Sequence, residues 1–331
     1  MPAKLRFGIL GVAKIATVKV IPAMQSSELC EIAAIASRDA ARAEAAARKL
    51  RIPKHYGTYE ALLADPEIDA VYNPLPNNLH VSWSIRAAEA GKHVLCEKPI
   101  AMSVQETKQL IEARDRTGVV MAEAFMVRVH PQWLRTRELI NSGEIGELRA
   151  VSGFFSYDNR DPRNIRNLPA TGGGGIMDIG CYPINTSRWM FGAEPWRVIG
   201  VVERDPEFGT DRLSSAILDF PKGQAVFTCS TQLNPYQHMH FHGTRGRVEI
   251  EIPFNAPPDR PTRITVQTGT EIRAETFPVC DQYALQGDAF AAAIREKKPV
   301  PVPLEDALSN MAVIEAVFRS AQTETWAAPL G

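Results

Sequence analysis

The 331-residue chain lacks an excess of either charge: 37 Lys plus Arg stand against 38 Asp plus Glu, for a net charge of -1. That removes the basic surplus of a non-specific nucleic-acid binder and the high net charge of a disordered chain. No apolar run approaches ~18 residues, so no segment reads as a transmembrane helix and no membrane partner is expected. Met1-Pro2-Ala3-Lys4 leads into the short run Leu5–Leu10, not into the apolar stretch and cleavage site of a secretory signal. Cysteines are few, odd in number and widely spaced, at 30, 96, 181, 229 and 280. With no C-x-x-C pair they read as reduced structural thiols, which places the protein in the cytoplasm. There is no internal repeat and no low-complexity tract; Ala40–Ala47 is only a strong helix former.

What is present is an ordinary globular composition, 45% apolar and 23% charged, over a length that suits two domains. The first part alternates short apolar runs with helical patterns. Leu5–Leu10, Ile32–Ala36, Ala70–Asn73, His93–Glu97 and Val119–Ala122 read as buried strands. Asp39–Leu50, Leu79–Ala90 and Ser103–Thr117 read as helices, with N-caps at Asp39 and Ser103 and glycine C-caps at Gly91 and Gly118. Strict alternation implies βαβ units and a parallel sheet.

From about residue 148 the pattern changes. Leu148–Phe155, Trp196–Arg204, Leu213–Asp219, Ala225–Leu233, His238–Gly243, Arg247–Ile252, Arg263–Thr268 and Glu271–Phe277 read as strands. Gly243-Thr-Arg-Gly246 and Gly269-Thr270 are hairpin connectors, so this sheet is expected to be mostly antiparallel. Helices are expected at Asp178–Phe191, Tyr283–Glu296 and Leu304–Thr323. The fold class is therefore α/β plus α+β. A Rossmann-type α/β domain covers residues 1–124, and a second domain on a large open sheet covers residues 125–331. The C-terminal helices are left open to pack back on the first domain.

The first strand runs into Gly8-Ile-Leu-Gly11-Val12-Ala13-Lys-Ile15-Ala16. Against G-x-G-x-x-G/A, Gly11 and Ala16 fit the tight turn and the helix–sheet contact, and Ala13 replaces the middle glycine. A methyl group there is tolerable only if Ala13 keeps φ negative. A strand-to-helix turn in any α/β domain would read alike, but the position after the first strand is the context the fingerprint requires. At the end of the second strand stands Ala36-Ser37-Arg38-Asp39. An arginine there suits a 2′-phosphate and an acidic residue a free ribose, so Ser37 and Arg38 favour NADP over NAD. The plainer reading has Asp39 capping the next helix and Arg38 solvated.

His93-Val-Leu-Cys96-Glu97-Lys98-Pro99 puts a charged pair at the carboxyl end of a buried strand, where ligands of open α/β sheets bind. Together with Gly8–Ala16 and Asn73-Pro74-Leu-Pro-Asn77-Asn-Leu-His80, this tripeptide resembles the Gfo/Idh/MocA oxidoreductases. The nearest branch is that of glucose–fructose oxidoreductase, dimeric dihydrodiol dehydrogenase and NADP-linked D-xylose dehydrogenase. The resemblance implies that Lys98 lies beside the nicotinamide and the substrate hydroxyl, and that Pro74, Asn77, His80 and Glu97 lie along the cofactor. The bland alternative for His80 is a buried ring satisfied by backbone.

Thr171-Gly-Gly-Gly-Gly175-Ile-Met-Asp178-Ile-Gly180-Cys181-Tyr182-Pro183 is the second strong segment. Asp178 and Tyr182 are spaced i, i+4 and are expected on one helix face. The resemblance makes Tyr182 the acid/base and Asp178 the group that orients substrate. A free tyrosine titrates near ~10, and a neighbouring ammonium such as Lys98 would lower that value. Tyr182 would then take the hydroxyl proton while hydride leaves the same carbon. Arg160 and Arg166, in the polar stretch Tyr157–Asn167, and Arg128, beside His130, are further substrate candidates, each with a surface or salt-bridge alternative.

His238, His240 and His242 share a strand face at period two. All three span roughly 13 Å, too far for one tetrahedral ion, so no metal is expected. The face suits a subunit contact instead, and the resemblance implies a homodimer or homotetramer through this sheet. The expected activity is NADP-dependent oxidation of a sugar or polyol hydroxyl, such as C1 of D-xylose or D-glucose. Dihydrodiol oxidation, carbonyl reduction and a non-catalytic dinucleotide sensor are the alternatives.

Overall fold

The computed structural model describes residues 4–330, so the expected outer limits at 1 and 331 lie outside the described residues. The chain divides into two units. One runs to Val129 and takes in Asp281–Ala307; the other is His130–Cys280 with the chain from Leu308 on. The expected change of domain at 124/125 thus falls short of the observed one. Residues 281–307, expected in the second domain, group with the first because their apolar face packs there. Phe290 sits 6.0 Å from Phe7, and a Cβ on Gly287 would meet Met24 at 3.1 Å and Cys30 at 3.2 Å.

The first unit holds six strands: β1 Leu5–Leu10, β2 Cys30–Ala36, β3 Lys54–Tyr56, β4 Ala70–Asn73, β5 His93–Glu97 and β6 Met121–Ala124. They lie in the order β3-β2-β1-β4-β5-β6, all parallel. The order reverses at β1, which opens a crevice at the carboxyl ends of β1 and β4. A π-helical turn, Ala16–Val20, runs into α1, Ile21–Gln25. Then come α2 Ala40–Leu50, α3 Tyr59–Leu63, α4 Asn77–Glu89 and α5 Val104–Thr117. Side-chain caps start three of them: Asp39, Thr58 and Ser103 accept from the backbone N–H three residues on. Gly118, at φ +70°, ends α5. β3 and α3 were not anticipated; three residues at a sheet edge carry no apolar alternation to read.

The second unit opens with α6, Pro131–Asn141, followed by β7 Leu148–Asp158. A second π-helical turn, Ile176–Gly180, leads into α7, Cys181–Phe191. The sheet is completed by β8 Arg197–Arg204, β9 Asp211–Phe220, β10 Gly223–Ser230, β11 Gln232–Gly243, β12 Gly246–Ile250, β13 Thr262–Thr268 and β14 Glu271–Phe277. Helix α8, Gln282–Glu296, belongs to the first unit, and α9, Leu304–Thr323, continues into the second. The eight strands lie in the order β14-β13-β12-β11-β7-β10-β9-β8. β7 and β10 run parallel and the other neighbours antiparallel. The run Ala225–Leu233, expected as one strand, breaks at Thr231, because the chain there crosses from one side of β7 to the other.

Period-two alternation gives this sheet an inner face of Val151, Phe155, Phe227, Met239, Phe241 and Val248, all buried. Trp133 of α6 packs on that face, 6.0 Å from Phe241 and 6.1 Å from Phe254. The outer face can be read across the register: Ile199, Ile217, Val226, Ser152, His240 and Glu249 lie in one row. At the β8 edge, Val198 exchanges two backbone hydrogen bonds with Ala327, at 2.8 and 2.9 Å. The Arg197 guanidinium lies 4.5 Å from the Trp326 ring.

Candidate active site

In the first unit the turn after β1 is built for close backbone approach. Gly11 has φ +92°, and a Cβ there would also come within 2.9 Å of Leu75. Its N–H donates to Ala36 O at 2.8 Å. Among the described residues the non-glycine positive φ values belong to Arg51, Lys297 and Glu324, so Ala13 fits where the pattern has glycine. Ala16 is fully buried, while Val12 and Ile15 are half-buried beside the turn. A glycine cradle that a side chain would fill, followed by helix N–H groups, fits a dinucleotide pyrophosphate.

At the end of β2, Ser37 is buried; its N–H donates to Tyr56 O and its hydroxyl accepts from Asp39 N. Asp39 is committed to the α2 cap, at 3.2 Å from Arg42 N. Arg38 stays exposed, near enough to Tyr59 for its charge to act on the phenol. Burial pushes the Tyr59 phenol up, and the charges of Arg38 and Arg42 oppose that. Tyr59 was not singled out in the sequence. Its hydroxyl would lie 3.5 Å from a Cβ on Gly11, so it links the β1 turn to Arg38.

Lys98, after β5, is half-buried and precedes Pro99 through a cis peptide bond. Glu97 accepts the Tyr72 hydroxyl at 2.5 Å. Burial and the Glu97 charge hold Tyr72 protonated far above the ordinary phenol range. Pro74 is buried, and Asn77 begins α4 half-buried. His80 lies inside: its ring nitrogens are 2.8 Å from Pro99 O and 2.6 Å from Leu75 O. Both nitrogens face backbone carbonyls, and the neutral ring donates to one of them, so it lies between the Leu75 and Pro99 segments and does not present itself to a ligand. Burial pushes it down to about 4, with the nearby Lys98 charge acting in the same direction. Arg128, a substrate candidate, is instead paired with Asp306 at 3.3 Å, its side chain 9% exposed. It ties the short turn Met126–Val129 to the segment that returns from the chain's far end.

In the second unit, Tyr157 and Arg166 donate to the same Asp178 oxygen, at 2.6 and 2.7 Å. Asp178 stands in the Ile176–Gly180 turn, where Cys181 N–H reaches back to Ile176 O. This widened turn replaces the regular helix expected between Asp178 and Tyr182. Tyr182 is 5% exposed, its ring 5.2 Å from Phe254 and 5.8 Å from Phe155. The Asp178 carboxylate raises the Arg166 guanidinium first, with Tyr157 and Tyr182 adding to it. Burial raises the Tyr157 phenol, and Asp178 raises it further.

Arg160 does not join this cluster. Its guanidinium pairs with Asp158 and is 66% exposed, because the loop after β7 turns it to solvent. His130 caps α6 by accepting from Gln132 N and is pushed down to about 4 by burial. Tyr157 was not individually assigned in the sequence, although Phe155 two residues earlier marks the same buried face. The imidazoles of His238 and His240 lie 4.6 Å apart on the outer face, and those of His240 and His242 6.3 Å. Among the described residues no group of three His, Cys, Asp or Glu side chains is arranged to hold a metal.

Comparison with known proteins agrees with this geometry. The NAD-binding Rossmann-fold domain of the Gfo/Idh/MocA oxidoreductase family matches residues 5–125, and the family's C-terminal domain matches residues 133–249. An uncharacterized oxidoreductase of Rhizobium meliloti is 51% identical over 97% of this chain and 98% of its own. A D-xylose 1-dehydrogenase (NADP(+)) of Haloferax volcanii is 41% identical over 96% of this chain and 98% of its own. The crystal structure of an aldose–aldose oxidoreductase from Caulobacter crescentus, complexed with glycerol, superposes with a TM-score of 0.92 at 28% identity, covering 98% of this chain and 100% of that one. The glycine turn after β1, the Glu97-Lys98-Pro99 segment after β5 and the Asp178–Tyr182 turn thus stand in a chain that belongs to the Gfo/Idh/MocA family of oxidoreductases.

Proposed function

We propose that the protein is an NADP-dependent dehydrogenase that oxidises a sugar or polyol hydroxyl, C1 of an aldose being the favoured position. The observation that carries the reading is the half-buried Tyr157–Arg166–Asp178 cluster beside Tyr182, an acid/base group in a polar setting walled by Phe155 and Phe254. The 41% identity to an NADP-linked xylose dehydrogenase supports the cofactor and the substrate class.

Gly11, Val12, Ala13, Ile15 and Ala16 would hold the pyrophosphate, Ser37 and Arg38 the adenosine 2′-phosphate, and Pro74, Asn77, Glu97 and Lys98 the rest of the dinucleotide. When bound, NADP supplies the hydride acceptor. Tyr182 takes the hydroxyl proton as the carbon–hydrogen bond is lost, which turns the alcohol into a carbonyl or lactone. Arg166 lends positive charge where the phenolate forms. Asp178, gripped from two sides, orients the substrate. Lys98 stabilises the negative charge that develops on the reacting oxygen.

We assign self-association to the outer face of the eight-stranded sheet, where Val201, Ile217, Val226 and Tyr236 are exposed. Sedimentation should then give a dimer or tetramer, and charged substitutions at Val226 should yield monomers. The five unbridged cysteines support a reducing, cytoplasmic setting.

The test is absorbance at 340 nm with NADP and a panel of aldoses, polyols and dihydrodiols. Lys98→Met and Tyr182→Phe should each lower turnover about 10²–10⁴-fold, the range a lost proton-transfer group costs. Near-wild-type rates in either would sink the assignment. Tight NADP binding without turnover on any compound would favour a sensor.

A further inference from the structure

We propose that Asp211 is a positioning residue of this site: its carboxylate seats the Gly172–Gly175 run and the turn after it, and so sets where Asp178 and Tyr182 stand. The inference rests on the dehydrogenase reading for its kinetic consequence, but its structural part stands alone.

Asp211 begins β9 and is 2% exposed. One carboxylate oxygen accepts the Ile176 N–H at 2.6 Å and the Ser214 hydroxyl at 3.3 Å. Ile176 is the first residue of the π-helical turn, two residues before Asp178. The other oxygen lies against Gly174, whose φ is +122°; a Cβ there would overlap it. At Gly175 a Cβ would meet the carboxylate at 3.3 Å. The glycines are therefore shaped to Asp211, and not only to a ligand. Their own backbone is fixed on the far side, where Gly174 N–H donates to Arg166 O at 2.9 Å. The loop that carries Arg166 and the turn that carries Asp178 thus meet at Gly174, with Asp211 as the support beneath both.

A carboxylate at this place favours the N–H groups at the start of a helical turn. The groups around it are few. Arg204 contributes positive charge from β8, Ser214 donates from β9, and the Cys229 thiol of β10 is held protonated by burial and by the Asp211 and Asp178 charges. Burial raises Asp211 to about 6, against the opposing bonds from Ile176 and Ser214. Below that pH the carboxyl is neutral and its bond to Ile176 weakens, which shifts the turn without opening it, because burial favours the neutral form.

Two measurements test this. In hydrogen exchange followed by mass spectrometry, Asp211→Asn should lose protection across residues 172–185 at pH 7.5, while peptides from β1 to β6 stay as in wild type. Gly174→Ala, which drives a Cβ into the same carboxylate, should lose protection over the same residues. This arm needs no turnover, so it survives a failure of the dehydrogenase reading, and the second variant keeps it readable if the first does not fold. In kinetics with NADP and the best aldose, Asp211→Asn should lower kcat about 10–100-fold, as a small misplacement of a catalytic group does. It should also flatten the acid limb of the wild-type kcat profile near pH 6 and leave the NADP dissociation constant within twofold. Unchanged protection over residues 172–185 in both variants overturns the proposal; so does an Asp211→Asn enzyme with the wild-type pH profile.

Discussion

Arg166 and Asp178 form a charge-assisted pair at 2.7 Å in which the carboxylate is 14% exposed and the guanidinium 41% exposed. The carboxylate depends on that cation, because Tyr157 can offer it only a neutral hydroxyl. Arg166→Ala should lower kcat/KM by about 100-fold, or about 2.7 kcal/mol of transition-state stabilisation. Arg166→Lys should recover only part of it, since an ammonium cannot reproduce the planar donor set. Steady-state kinetics over the aldose series check both, with NADP affinity unchanged.

Gly174→Ala and Gly269→Ala separate two costs. Both glycines have positive φ, but a Cβ on Gly174 overlaps Asp211 and one on Gly269 meets nothing within 4 Å. Gly269→Ala should cost about 1 kcal/mol from backbone strain alone, and Gly174→Ala at least about 2–3 kcal/mol. Urea denaturation measures the difference. A Gly174 variant no worse than the Gly269 variant would remove the steric argument.

Acid should destabilise the fold before it reaches the ordinary carboxylates. His80 and His130 are both held down to about 4 from an unfolded value of 6.5. The unfolded chain then binds more protons between those values, so this stability is full above about 6.5 and is lost as pH falls toward 4. Asp211, raised to about 6 from 3.8, has the opposite slope between those two values. The net fall should therefore be steepest just below pH 6.5 and shallower beneath 6. Melting temperatures across pH 4–8 check this, and His80→Gln should flatten the curve.

Cofactor choice should turn on Arg38, which is exposed and lies within charge range of the Tyr59 phenol. Arg38→Ala should raise the NADP KM about 10–100-fold, the worth of a charge-assisted contact, and leave the NAD KM within a few-fold. Tyr59→Phe should raise the NADP KM more modestly, because the guanidinium remains and only a polar neighbour of it and of the Gly11 turn is lost. Equal effects on both cofactors would remove Arg38 from the 2′-phosphate.

The elements legible in the sequence were those whose local signals agree with their burial. β1, β4 and β5 are continuous apolar runs, and α2 and α5 carry side-chain caps at Asp39 and Ser103. β3 is three residues at the sheet edge, and α6 opens with Pro131 behind an unusual histidine cap, so neither advertised itself. Among the candidate residues, Lys98, Asp178, Tyr182 and Arg166 lie in segments with a recognisable pattern. Asp211 does not: it lies 33 residues beyond Asp178 in sequence, and only the folded sheet brings it under the glycine run. His80 shows the converse. Its place in a motif suggested a ligand contact, whereas both ring nitrogens face backbone carbonyls.

The bridge between Val198 and Ala327 closes one margin of the large sheet. A bare β8 would offer a row of unpaired N–H and C=O groups to any extended peptide, and such margins template fibrils. Here the returning chain takes the N–H and C=O of Val198, near the start of β8, and the Arg197–Trp326 contact holds it there. The opposite margin, β14, is guarded differently, by the charged residues Glu271, Arg273 and Glu275 along its length. Shaving off the segment around Ala327 should therefore leave the dinucleotide-binding unit intact while turning the other into a nucleus for aggregation.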